Sequence, residues 1–207
     1  MTGVPEHLAP WEPMSPDAVG GLLRSAVVPW WLAGGWALDA HVGRQTRPHA
    51  DTDVAVLRPD LPRLRLCLAE WDLHAADPPG TLRPWPADEE LPVGVHDVWC
   101  RPGPGEPWQL QLMIEEVDGA SRTDWVYRHD ARIRRPSATL AGPASTAALP
   151  VLAPEVQLLY KSRAPRPKDH ADLDACRPSL TPAQRAWLVH APGVTSPGHA
   201  WVVQLAR

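Results

Sequence analysis

Trp30-Trp-Leu-Ala-Gly-Gly-Trp-Ala-Leu-Asp-Ala-His-Val-Gly-Arg-Gln-Thr-Arg-Pro-His-Ala-Asp-Thr-Asp-Val-Ala-Val-Leu57 decides how the rest of the chain is read. Trp31-Leu32-Ala33 is a short apolar run, the pattern of a buried strand. Gly34-Gly35 breaks it, and Trp36 to Val42 fits a short helix stopped by Gly43. A polar connection through His49 leads to a second strand, Asp51 to Leu57. Residues i and i+2 of a strand face the same way, so Asp51 and Asp53 set two carboxylates side by side. Such charges repel unless a cation lies between them, and hard carboxylate oxygens select Mg²⁺. A Gly-Gly turn entering a helix offers backbone N–H groups to phosphate oxygens. A metal pair beside a phosphate cradle points to metal-assisted chemistry on a nucleotide.

Gly-Gly-Trp-Ala-Leu-Asp (34–39), Gly-Arg-Gln-Thr-Arg-Pro-His (43–49) and Asp-Thr-Asp (51–53) resemble the aminoglycoside 2″-adenylyltransferases and lincosamide nucleotidyltransferases. Both are small members of the DNA polymerase β-like nucleotidyltransferase superfamily. The resemblance implies an α/β (α+β) fold: a mixed, twisted sheet in a nucleotidyltransferase core, with short C-terminal helices. It implies transfer of a nucleoside monophosphate, AMP from ATP, to a hydroxyl of a small acceptor such as an aminoglycoside or lincosamide antibiotic. Related enzymes carry a third carboxylate on a central strand. Here that strand reads Trp108-Gln-Leu-Gln-Leu-Met-Ile114, with Gln109 and Gln111 at the candidate positions. The substitutes are Asp97 on the partner strand, then Glu115, then Glu116. The departure keeps open a catalytically inactive binding protein on the same scaffold. A toxin- or antitoxin-type nucleotidyltransferase acting on protein or tRNA is a further alternative.

Outward from these blocks, Ser15-Pro16 starts a helix read through Val28, weakened by Gly20-Gly21, and residues 1–14 read as irregular. Asp60 and Pro62 start another helix. Leu73 to Ala76 and Thr81 to Trp85 are short strands. Val95 to Arg101 pairs antiparallel with Trp108 to Ile114 through a Pro-Gly-Pro-Gly turn. Counting from that turn places Asp97 opposite Gln111 or Leu112, with the glutamines facing a polar cleft and the leucines the core. Residues 135–150 read as a loop or linker, between a core at 1–140 and a helical subdomain at 150–207. The helices there begin near Pro154, Lys168 and Thr181.

Gly34, Gly35, Arg47 and Lys161 are the nucleotide-binding candidates. For Arg47 and His49 an internal buttress involving Asp39 is the alternative to phosphate contact. Lys161 and Lys168 are the chain's two lysines among 20 basic residues, so Lys161 draws attention. His170, Asp172 and Asp174 read as solvent-facing helix polar groups. Trp30, Trp31 and Trp36 read as core and cleft wall.

The 207 residues carry a formal charge of −4 and no run of Lys or Arg, so a nucleic-acid groove is not expected. Three scattered cysteines give neither a disulfide framework nor a zinc signature. With no signal pattern and no membrane-length apolar run, a cytoplasmic protein is expected, as monomer or homodimer.

Overall fold

The computed structural model describes residues 9–121, 123–196 and 198–206. The first eight residues of the stretch read as irregular lie outside them. The chain forms α1 (Pro16–Leu22), β1 (Trp30–Leu32), α2 (Gly34–Val42), β2 (Asp53–Leu57), α3 (Leu61–Leu64), β3 (Asp72–Ala75) and β4 (Arg83–Pro84). There follow β5 (Asp97–Arg101), β6 (Leu110–Val117), β7 (Asp124–Val126), β8 (Arg134–Pro136), α4 (Pro154–Ser162), α5 (Pro167–Cys176), α6 (Pro182–Thr195) and α7 (Ala200–Leu205).

The main sheet runs β1-β2-β6-β5-β3-β4, and β7 extends from β6 to β8. Among the named strands of the described residues, β2 and β6 pair in parallel and the other pairs are antiparallel. It is the mixed sheet the sequence leads one to expect.

Strand alternation divides the core in two. Val54, Val56, Leu110, Leu112 and Ile114 join α1 and α3 on one face. Ala55, Leu57 and Met113 face α2 and α4–α7 on the other. Trp30 and Trp31 fall on opposite faces, both buried. Leu112 is wholly buried, so truncation to Ala costs about 2–5 kcal/mol.

One expectation is corrected. α1 ends at Leu22 rather than Val28. Gly20 is there for close approach, since a Cβ would stand 2.8 Å from the Ala148 carbonyl oxygen. The stretch 135–150 is no loose tether. Leu140 is buried, Leu32 bridges Val151, and Ala141 bridges Leu152.

Among the described residues, no helix is long and apolar enough to cross a membrane.

Candidate active site

The site begins where β1 turns into α2. Gly34 sits at φ +65°, and a Cβ there would lie 2.0 Å from Asp53 Oδ2. At Gly35 a Cβ would lie 2.2 Å from His49 Nδ1. Both glycines are therefore demanded by groups packed on bare backbone. α2 has no side-chain N-cap. The Gly34 N–H donates to Gln157 Oε1 at 2.7 Å, so Gly35 is left as the open donor of this pair.

Thr52 is wholly buried between the two aspartates, and its hydroxyl donates to the Met14 carbonyl at 2.7 Å. Its carbonyl accepts from Gln111 N at 2.8 Å, and the Asp53 carbonyl accepts from Ala33 N at 2.8 Å. With Thr52 turned inward, Asp51 and Asp53 both face one cleft of about 400 Å³. Asp51 lies just ahead of β2 rather than within it.

Asp97 joins them from β5. The register differs from the expected one: Asp97 is opposite Met113, and Trp99 is opposite Gln111. A slip of two residues preserves parity, so Asp97 still emerges on the Gln111 face, where Gln111 Nε2 donates to Asp97 Oδ1 at 2.9 Å. Burial, then the charges of Asp51 and Asp97 against those of Lys161 and Lys168, push the Asp53 carboxyl up to about 7.

The other candidates for the third carboxylate lie elsewhere. Glu115 is wholly buried and accepts from Trp125 Nε1 and Tyr160 Oη, each at 2.5 Å. Glu116 lies on the opposite face, bound by Arg58 Nε at 2.8 Å and His96 Nε2 at 2.9 Å. Gln109 does not line the cleft; its backbone pairs with Met14 and Cys100 instead.

Cations fill the facing wall. Lys161, at the end of α4, lies 2.9 Å from Asp172 Oδ2 and 3.2 Å from Asp169 Oδ1. Arg47 holds Asp172 bidentately at 2.8 and 3.0 Å. Asp169 and Asp172 are buried, so Asp172 is not the solvent-facing group expected. The two aspartates are three residues apart and so share one face of α5. That spacing was the available signal. Asp39 does form a buttress, but with His49 (2.5 Å) and Thr46 rather than an arginine. Neither Asp39 nor His49 lines the cleft, and nor do the three tryptophans. Arg166 and Lys168 add charge to the same wall, while Arg128, His129, Tyr160 and Arg163 close another side. Sequence reasoning gave none of these groups a place in the site, although it named Lys168 as one of the two lysines and a helix start, and Tyr160 as a helix residue.

Among the described residues no group of three or more His, Cys, Asp or Glu side chains is placed to hold a metal ion. Mg²⁺ bound with a nucleotide needs only one or two carboxylates, because phosphates and water complete its shell. Mutually repelling carboxylates in one open cleft fit that donor set.

A family model described as aminoglycoside-2″-adenylyltransferase matches residues 17–76, which include Gly34, Gly35, Asp51 and Asp53. The lincosamide antibiotic adenylyltransferase LnuA, solved with lincomycin bound, superposes with a TM-score of 0.53. It is 15% identical over 81% of this chain and 99% of its own. The fold is a nucleotidyltransferase fold. ANT(2″)-Ia, solved with adenylyl-2″-tobramycin, is also similar: 16% identity, 88% of this chain, 100% of that one, TM-score 0.48. A comparison with curated proteins finds no match. In this nucleotidyltransferase fold the carboxylates gather on one face of the central strands β2, β6 and β5, facing cations from α4 and α5.

Proposed function

We propose that the chain is a Mg²⁺-dependent nucleotidyltransferase moving AMP from ATP to a hydroxyl of a small acceptor. One observation carries the reading: Asp51, Asp53 and Asp97 meet Gly35, Arg47 and Lys161 in one cleft. The aminoglycoside and lincosamide antibiotics of the similar proteins are the acceptors that resemblance suggests.

Asp51 and Asp53 would hold the divalent cation. Bound there, it supplies a lowered pKa for the acceptor hydroxyl and charge stabilisation for the departing pyrophosphate. Lys161 and Arg47 face the triphosphate and offset its charge, while the Gly35 N–H donates to a phosphate oxygen. Asp97 takes the hydroxyl proton, and its Gln111 partner holds the carboxylate in place. Gln111 is itself no base, since an amide does not take up a proton near neutral pH. Most of the rate then comes from in-line positioning and charge neutralisation.

The test is acceptor-dependent pyrophosphate release from ATP and Mg²⁺ over a panel of hydroxyl compounds. Release with wild type and its loss in Asp51→Asn is the expected result. ATP binding without release on any acceptor overturns the catalytic reading.

A further inference from the structure

The cleft continues beyond Arg163. A second hollow of about 290 Å³ adjoins it, and His129 and Arg163 line both. Sharing these two residues with the carboxylate cleft yet off the Arg47–Lys161 wall, it is placed to receive the second substrate. This inference rests on the nucleotidyl-transfer reading above.

The charge of the hollow narrows what fits. Its one lining carboxylate, Asp130, is already engaged. The Arg132 guanidinium holds both its oxygens, at 2.9 and 2.6 Å, and the Arg132 backbone N–H adds a third bond at 3.0 Å. Both ring nitrogens of His199 are engaged: Nε2 faces the Ser162 carbonyl at 2.8 Å, and Nδ1 accepts the Trp201 N–H at 3.1 Å. Arg163 has no ion pair among the described residues. Arg128, whose guanidinium stacks 4.9 Å from the Tyr160 ring centroid, has Nη1 buried without a partner. Burial raises the nearby Glu115 above its ordinary range; its Oε2 accepts from Tyr160 and Trp125, and its Oε1 is buried without a hydrogen-bond partner among the described residues. Burial, with Arg163 and Arg128 beside it, pushes His129 down to about 4, so the ring adds no charge.

We propose that this hollow is the acceptor subsite and that it takes a hydroxyl compound bearing an anionic group, carboxylate or phosphate, with Arg163 as the specificity-determining cation. A polycation would meet like charges there, so this subsite sets the chain apart from the aminoglycoside acceptors that resemblance suggests.

Calorimetry with matched sugars tests this: glucose 6-phosphate, glucose and glucosamine, with tobramycin as a polycation. Each is titrated into the full chain, first alone and then with a non-hydrolysable ATP analogue and Mg²⁺ already bound. The expected result is glucose 6-phosphate binding at least ten-fold tighter than the others under both conditions. Arg163 is exposed, so Arg163→Glu and Arg163→Gln leave the packing in place. Both should weaken glucose 6-phosphate at least ten-fold, and by a clearly larger factor than they weaken the analogue, because Arg163 also borders the nucleotide cleft. No preference among the sugars, including no measurable binding, overturns the proposal. So does tighter binding of glucosamine or tobramycin, or an unchanged glucose 6-phosphate Kd in Arg163→Glu. Displacement of glucose 6-phosphate by the analogue would place it in the nucleotide's phosphate position and overturn the subsite. Failure of the analogue to bind counts against nucleotidyl transfer instead, and the nucleotide-free titrations still judge the subsite.

Discussion

Gln111 and Asp97 form an amide–carboxylate pair across β6 and β5, Nε2 to Oδ1 at 2.9 Å, at the edge of the cleft that holds Asp51 and Asp53. Gln111 is the residue opposite Asp53 in the parallel β2–β6 ladder, so the carboxylate stands one strand further out than Gln111 itself. If Asp97 is the general base, Asp97→Asn lowers kcat by about 10²–10⁴-fold with little change in ATP affinity. The double variant Asp97→Asn/Gln111→Glu exchanges the partners and should recover at least part of that loss. Steady-state pyrophosphate release reads both; near-normal turnover in Asp97→Asn sinks the assignment.

Gly34→Ala should damage the site more than the fold. Its Cβ would collide with the Asp53 carboxylate, displacing it, and misplacement of about 1 Å costs on the order of 10²-fold in rate. Gly43→Ala is the control: φ is +81° there with nothing near the new Cβ, so only about 1–2 kcal/mol of backbone strain is expected. Equal activity losses in the two variants would show that backbone strain, not Asp53, is responsible.

Lys161→Met keeps most of the stem while removing the charge. Loss of one charge-assisted phosphate contact, about 1.5–3 kcal/mol, raises the ATP constant roughly ten- to hundred-fold. Asp172→Asn instead leaves Arg47 and Lys161 facing a neutral amide in a mostly buried site, costing about 3–5 kcal/mol of stability. The double variant should regain stability but not ATP affinity. Recovery of both would make Lys161 purely structural.

Glu116 governs an acid-sensitive part of the stability. The His96 hydrogen bond, then Arg58, hold its carboxyl down at about 2, against an ordinary 4.5. A depressed folded-state pKa means the contribution is full above about 4.5 and is lost as pH falls towards about 2. Denaturant midpoints across that window should fall less steeply for Glu116→Gln than for wild type. Parallel slopes would remove Glu116 from the acid response.

The Gly-Gly and Asp-x-Asp elements were legible because local chemistry dictates them: bare backbone before a helix and alternating side chains along a strand. The β5–β6 register was not. Trp108 bridges Trp11 and binds Pro10, so the ladder starts at Cys100–Leu110, further from the turn than counting assumed. Parity alone survived that error, which is why Asp97 still faces Gln111. The Asp172 ion pairs were hidden for another reason: Arg47 stands 125 residues away, and no spacing rule links α5 to the polar turn after α2.

Mass analysis of the acceptor after incubation with ATP and Mg²⁺, wild type beside Asp53→Asn, tests the central claim most directly. The account predicts one adenylyl group gained per pyrophosphate released, and neither in Asp53→Asn. Phosphoryl gain, release of inorganic phosphate alone, or equal adenylylation by Asp53→Asn would contradict it.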